Sequence, residues 1–569
     1  MFEIFGLTVA VWVAYWGVIR LGFVSDDIEG LQHYDGKLKK FDYGHLNKWL
    51  LYKLLEKSNV RNHLFSIFLH NANVILLFLF LSTIVPVKLA FFTSILFAIH
   101  PICIQSVGWI SSRGYPISLF FCLLGFNIIS NTHILGSPLN SIPLALLTIG
   151  FGCLYYLSIV AQFAALATFA IQAFLGNYFL ALIGLILSLV AGSGIIKEVI
   201  GVRIKTFKEQ NLGRSTFFKL QKIIVAIKSL AYYTRLCIFP KRMGLYHTYE
   251  YHYSEKTEKE DKWFWWGFFI LISSVLGFWY GNPIIRFGIL WYYAYLFIFL
   301  NWITVHQFVS ERYLYISSIG ICLLIAYGLS FLDGFFFNGF PVIFALVGGL
   351  YLMRTWVHLP TYQDEVLFYQ SNIWNFPDSE VAFSNLAVVY MKCNLMGSAV
   401  DMWQIAIKIN PEYDVAYYNI SSVMKQGGDL VRSREFLKKA VDSPKCHFKD
   451  LWTKELTQLD HELSYIKDVN EISARLNELK KTPEKQQEAL NLEKQLQEIN
   501  NLHKIWEEQK KKNLILIQQE EQNLQLKMVE LARTKEQVLK GISPEELIKA
   551  RDQNFGVLKE TVKRMSETT

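Results

Sequence analysis

The sequence predicts an all-α protein: a polytopic helical membrane domain of about eleven spans, a helical repeat domain, and a coiled-coil tail. Three observations predict it. The chain of 569 residues is 52% hydrophobic and only 18% charged, where soluble domains run at about 25% charged. The apolar content fills residues 1–358 and stops there. Residues beyond 358 carry the 3.6- and 3.5-residue periodicities of helices. The expected domains are therefore 1–360 in the membrane, 361–466 as helical repeats and 467–569 as a charged coiled-coil tail.

A bilayer crossing takes about 20 apolar residues. Segments that meet this are 2–22, 64–85, 87–105, 115–131, 141–159, 160–175 and 177–196, then 263–281, 285–303, 311–331 and 340–358. The first has no small-residue cleavage site and reads as a retained anchor. Residues 220–240 are apolar but carry Lys222, Lys228 and Arg235, which predicts an interfacial helix lying apolar face down. The net charge of +8 is spread over several loops, with no dense basic block to bind nucleic acid. Seven cysteines without a C-x-x-C pair read as packing residues.

Ser25-Asp26-Asp27 follows the first apolar segment. Two carboxylates at the membrane surface either flank a helix end or serve as a base toward a lipid-borne substrate. Further on stand His63-Leu64-Phe65, Leu69-His70-Asn71-Ala72-Asn73, and a long stretch from His100-Pro101 through Gln105, Trp109-Ile110-Ser111 and Ser112 to Arg113. Tyr232-Tyr233-Thr234-Arg235 runs into Phe239-Pro240, and Ser310-Glu311-Arg312-Tyr313-Leu314-Tyr315 precedes the last spans. Arg113 and Arg312 suit a phosphate, because the guanidinium fork matches its oxygens. Each also has a structural reading: Arg113 snorkelling at a helix end, Arg312 pairing with Glu311, His100 capping a span. His247 and His252 are five residues apart with no third partner, a poor metal-ligand pattern, and no metal site is expected.

These motifs, in this order, resemble the transmembrane and tetratricopeptide-repeat O-mannosyltransferase family and its bacterial relatives, within the GT-C glycosyltransferases. The resemblance covers residues 1–370 and the repeats after them. It departs at Ser25, where the family carries Trp, and at Ile159-Val160-Ala161-Gln162, where it tends to carry Ser-Lys-Glu. The resemblance implies transfer of a sugar from a polyprenyl or dolichyl phosphate, a substrate rather than a bound cofactor. Asp26 or Asp27 would be the base, Asp26 by likeness to the diacidic motif. Arg113 and Arg312 would meet the lipid phosphate, and His100 and Glu311 would bind or orient. The acceptor would be a protein or envelope component on the outer or luminal face of a plasma, inner or endoplasmic-reticulum membrane. The two departures and the long tail favour the alternative: a catalytically retired scaffold that assembles a complex.

The family-like topology places the N-terminus inside, with loops 25–62 and 197–262 and everything after 358 outside. The positive-inside rule opposes this, because both loops are rich in Lys and Arg.

Residues 380–413 fit a 34-residue tetratricopeptide repeat, with Phe383, Leu386, Ala387, Tyr390, Ala399, Trp403, Ala406 and Pro411 on its core positions. A second follows at 414–447, with Tyr417, Ile420, Ser421, Ser433, Leu437 and Ala440 in register. Such repeats bind proteins or act as spacers. The segment 450–466 is expected to cap them. In the tail, Leu492, Leu496, Ile499 and Trp506, then Leu524, Met528, Leu531 and Val538, mark a coiled-coil seam. Thr482-Pro483 divides it from an earlier helix. Its partner is a second copy, another protein, or the tail folded back on itself. Ser543-Pro544-Glu545-Glu546 is a helix start.

Overall fold

The computed structural model describes residues 1–28, 51–130, 220–245, 247, 262–301, 309–334, 339–444, 446–481, 485–506 and 508. Its regular elements are all helical among these residues. The chain divides into two compact units, Met1–Ala382 and Phe383–Thr569. The division falls later than the change in composition near 360, because the segment after the last apolar helix still folds with the first unit.

The first unit contains α1 (Phe2–Tyr15), α2 (Asn59–Leu81), α3 (Val87–Ile99), α4 (Ile104–Gly108), α5 (Gly114–Ser130), α6 (Leu220–Ile238), α7 (Lys262–Tyr280), α8 (Pro283–Leu296), α9 (Leu314–Ser330), α10 (Gly339–His358) and α11 (Glu365–Asn375). Among the described residues, five stretches are helical, long and apolar enough to cross a membrane: Phe2–Arg20, Asn59–Leu81, Lys262–Tyr280, Glu311–Ser330 and Phe340–Tyr362. A sixth, Val87–Ile99 with Pro101–Gly108, is bent by 50°. The bend has a local cause. Proline disfavours helix at the residue before it and lacks a donor, so α3 stops at His100-Pro101. Of the other expected spans, α5 has 17 residues and α8 has 14, short of a straight crossing of about 20. Segments 141–159, 160–175 and 177–196 lie outside the described residues.

Side-chain caps set several helix starts. The Ser58 hydroxyl accepts from Arg61 N at 3.4 Å before α2. The Asn282 carboxamide accepts from Ile285 N at 3.0 Å before α8, with Pro283 in the first position. The core forms where α2 and α3 pack with α1, α5 and α9. Phe80, Phe126, Phe287 and Trp291 fill it. A polar knot ties the same helices. His70 Nδ1 lies 2.7 Å from the Tyr315 hydroxyl and its Nε2 lies 3.2 Å from Ala98 O. Asn73 Nδ2 donates to Pro116 O at 2.8 Å and to the Tyr315 hydroxyl at 3.2 Å. Interhelical hydrogen bonds of this kind hold helices together where apolar burial gives no preference between helix and lipid.

Helix α6 differs from the expectation of an interfacial helix. Ala226, Leu230, Ala231, Tyr233 and Leu236 are buried, and α6 packs along α7. The Thr234 hydroxyl donates to Leu230 O at 2.8 Å and lies 2.9 Å from the Tyr292 hydroxyl. An amphipathic face can be turned to protein as readily as to headgroups, and the sequence pattern does not separate the two.

The second unit takes up most of α12 (Glu380–Lys392), in which the division falls, and then α13 (Met396–Ile409), α14 (Asp414–Gln426), α15 (Leu430–Asp442) and α16 (Lys449–Leu479). Helix α14 packs with α13 and α15, and α15 packs with α16. Leu386, Ala387, Ala399, Trp403 and Ala406 are buried, as are Ile420, Ser421, Ser433, Leu437 and Ala440. Where α14 and α15 cross, the Ser421 and Ser433 hydroxyls lie 3.0 Å apart. Helix α16 runs through the expected boundary at 466/467 without a break. Residues 486–506 form another helix. Leu492 packs on Leu476, Leu479 and Ala489. Lys480 pairs with Glu493 at 2.7 Å, and the Tyr465 hydroxyl donates to Asn500 Oδ1 at 2.9 Å. The described half of the seam is thus a fold-back on α16. Leu524, Met528, Leu531, Val538 and the 543–546 motif lie outside the described residues.

Candidate functional site

The segment from His100 to Arg113 holds two of the predicted site residues and hydrogen-bonds to Asp27 and to the backbone of Arg312. His100 caps the turn Pro101–Cys103: its Nδ1 accepts from Ile102 N at 3.1 Å, and its Nε2 lies 2.8 Å from Cys237 O. The backbone donor fixes Nδ1 as acceptor, so Nε2 carries the hydrogen and donates. Both nitrogens are engaged by protein, which is the capping arrangement.

After the short helix α4 the backbone extends at Trp109 and turns again over Ile110–Ser112. Gln105 Oε1 accepts from Arg312 N at 2.6 Å and from the Ser310 hydroxyl at 2.9 Å. The Trp109 ring lies under the Arg312 guanidinium, 5.1 Å from its centroid, and the indole donates to Val24 O at 3.3 Å. Arg312 also lies over Tyr313, at 5.4 Å. It is half-buried and held at its backbone and its planar face.

The two adjacent carboxylates part company. After α1 and the turn Trp16–Arg20, the chain runs extended past Gly22. Gly22 N donates to Gln363 O at 2.9 Å, and a Cβ at Gly22 would stand 2.5 Å from that oxygen. Only glycine permits this approach. Ser25 is in the left-handed region, with φ 52°, and the turn after it sends Asp26 outward and Asp27 inward. Asp26 is exposed, while Asp27 is fully buried. Asp27 Oδ1 accepts from Ser111 N at 2.7 Å and from the Ser111 hydroxyl at 2.5 Å. Its Oδ2 has no hydrogen-bond partner among the described residues. Burial pushes the Asp27 carboxyl up to about 7, against the opposing pull of Ser111 and the Arg113 charge.

Arg113 is buried, so it does not snorkel. Its Nη2 donates to Asn62 Oδ1 at 2.8 Å, and its guanidinium lies 5.6 Å from the Phe65 ring centroid. Asn62 is oriented in turn by donating to Glu56 O at 3.1 Å and Ser58 O at 2.9 Å.

Glu311 faces a second centre. It is fully buried, and its Oε1 accepts from Gly244 N at 2.7 Å and lies 2.9 Å from His247 Nε2. His247 Nδ1 lies 2.8 Å from the Tyr232 hydroxyl. Glu311 therefore anchors the segment after Pro240 instead of neutralising its neighbour Arg312. His247 has both ring nitrogens within hydrogen-bond distance of protein groups, and His252 lies outside the described residues.

The structure thus brings Asp27 together with Ser111, Arg113 and Asn62, and sets Arg312 nearby through Trp109. Asp26 stands apart on the surface. Sequence reasoning singled out neither Ser111 nor Asn62 for a role. Ser111 stands two positions before Arg113 in the same stretch, and its small hydroxyl carries no signal of its own. Compared with known proteins, the chain matches no family model, no curated protein and no solved structure.

Proposed function

We propose that the protein is a membrane glycosyltransferase that takes a sugar from a polyprenyl phosphate and delivers it to a hydroxyl of a protein or envelope acceptor. The observation that carries this reading is Asp27: a buried carboxylate with one oxygen fixed by Ser111, the other unpartnered, and an affinity for protons near neutrality. A general base works best with a pKa near the operating pH. The acceptor oxygen attacks the anomeric carbon, and its proton passes to Asp27. The bond between that carbon and the phosphate oxygen breaks, and the lipid phosphate leaves with the electron pair. Arg113 and Arg312 are the cations suited to that phosphate. His100 and Glu311 act on this reading as supports, His100 as a cap and Glu311 as the anchor of residues 244–247.

The finer architecture belongs to the same reading: eleven spans of GT-C type, two tetratricopeptide repeats presenting the acceptor, and a coiled-coil tail. The alternative, a retired scaffold assembling a complex through its repeats and tail, draws on Arg113. Its guanidinium is buried and bonded to Asn62, an arrangement that also suits a purely structural arginine.

The test is transfer from a polyprenyl-phosphate sugar to protein in membranes carrying each variant. Asp27→Asn is expected to lower transfer by about 10²–10⁴-fold, the usual loss with a missing general base, while folding and insertion persist. Asp26→Asn is expected to retain activity. Full activity in Asp27→Asn removes the catalytic role and leaves the scaffold.

A further inference from the structure

The hairpin of α7 and α8 carries its membrane boundaries on its surface. Helix α7 is one unbroken run, Lys262–Tyr280, and among its residues with a described burial only Gly267 is buried. Its outward residues include Phe269, Ile272, Val275 and Leu276. Two aromatic pairs flank them. Trp265 and Trp266 are 59% and 60% exposed, and Trp279 and Tyr280 are 70% and 85% exposed. Exposed Trp and Tyr at the two ends of an apolar helix seat at the headgroup level of the two leaflets. Cations mark the same two levels. Lys262 lies 5.9 Å from the Trp263 ring centroid, and Arg286 Nη2 donates to Trp279 O at 3.0 Å.

The two belts are close together. Trp265 to Trp279 is 14 positions, as is Trp266 to Tyr280, which at about 1.5 Å per residue is about 21 Å. The second arm starts directly after the second belt: α8 begins at Pro283, and its helical run tightens to a 3-10 turn over Phe297–Leu300 and ends at a left-handed Asn301, φ 65°. A typical hydrocarbon core is about 30 Å thick. Tilting α7 only brings its belts closer along the membrane normal, so tilt does not relieve the mismatch. The lipid has to adjust.

A second protein copy is a poor occupant of this face. Interfaces between membrane helices use small residues, and three of the small residues of α7, Gly267, Ser274 and Gly277, are spent inward. A Cβ on Gly267 would overlap Ile227 O, and one on Gly277 would stand 2.9 Å from Ile289 Cδ1. Ser274 Oγ accepts from the Tyr293 hydroxyl at 3.0 Å. Apart from Ser273, the side chains left outward in the middle of α7 are bulky and apolar, Phe269, Ile272, Val275 and Leu276.

We infer that the outer face of the α7–α8 hairpin is built for a thin hydrocarbon layer, so that its partner is short-chain lipid or a bilayer locally thinned beside it. The inference rests on the membrane character of the chain and not on its catalytic reading.

Full-length protein is reconstituted into phosphatidylcholine vesicles with dimyristoleoyl, dioleoyl or dierucoyl chains. Relative lipid association is read by competition against a brominated dioleoyl lipid that quenches tryptophan. Association is expected to be strongest for dimyristoleoyl chains and at least about threefold weaker for dierucoyl chains, as mismatch costs accumulate per ångström. The double variant Trp265→Leu and Trp266→Leu removes one belt and is expected to move the preference toward longer chains. A preference that peaks at dioleoyl or dierucoyl chains overturns the inference. So does a preference for short chains that the double variant leaves unchanged, since the belts would then not set it. Emission that the brominated lipid does not quench, with the double variant changing nothing, means that protein covers the face, and overturns it as well.

Discussion

At the scale of the residue, the telling contrast is between Asp26 and Asp27. They are chemically identical neighbours, and one left-handed residue, Ser25, sends them to different environments. The buried one carries a stability cost with a definite pH dependence. Its folded-state carboxyl sits near 7, above the ordinary 3.8. Between those values the folded protein holds a proton that the unfolded chain has released, so stability falls as pH rises through this window and levels off above about 7. Asp27→Asn abolishes that titration. The variant is therefore expected to melt at a higher temperature than wild type at pH values above the window, and close to it below the window. Transfer should run the other way, rising in wild type as pH passes about 7 because the base must be unprotonated. Thermal melts and transfer rates across the same pH series check both. A flat difference in melting temperature would mean that Asp27 is ionised throughout.

At the scale of the element, close backbone approach and seam packing decide which helices pair. A Cβ at Gly267 would overlap Ile227 O. Gly267→Ala is expected to push α6 from α7 and destabilise the first unit by about 1–3 kcal/mol, the usual effect of overpacking, measured by denaturation in detergent. In the second unit, Leu496 and Ile499 are half-buried in the fold-back. Changing both to Asp puts unpaired charge into the seam. Cysteines placed at positions 465 and 500, whose native side chains meet, should then be joined less by a short bismaleimide crosslinker than in the parent. These elements also mark how much of the structure is legible in the sequence. The helices over 380–442 and five of the long apolar stretches are readable, the first from 3.6-residue periodicity and the second from apolar length, because burial enforces both. The break at His100-Pro101 is readable from proline chemistry, yet apolar content alone makes 87–105 a single span. The role of α6 is not readable, because an amphipathic stripe does not say whether protein or headgroups cover it. Ser111 and Asn62 are not readable either, since their roles depend on long-range contacts.

At the scale of the whole molecule, the open question is which way the first unit faces. The Gly22–Gln363 hydrogen bond places the exit of the first apolar helix and the exit of the last on one face. Asp27, bonded to Ser111, stands on that face as well. If the apolar helices cross a membrane, an even number of crossings must then lie between residues 22 and 363, which an odd total, such as the eleven expected, satisfies. The remaining choice is binary. The basic loops argue for that face being inside. A base serving a lipid-linked sugar and an extracytoplasmic acceptor argues for it being outside. We expect the second arrangement, because loops that carry acids beside their basic residues weaken the charge rule. Single cysteines introduced as Asp26→Cys and Gln363→Cys, both at exposed positions, should react with an impermeant maleimide from the outer or luminal side. Glu3→Cys, exposed at the other end of the first span, should react only after the membrane is opened. If Asp26→Cys and Gln363→Cys are instead shielded together while Glu3→Cys reacts, the charge rule holds and the site faces inward, which would end the extracytoplasmic transfer reading. Labelling of Asp26→Cys and Gln363→Cys from opposite sides would contradict the backbone hydrogen bond itself.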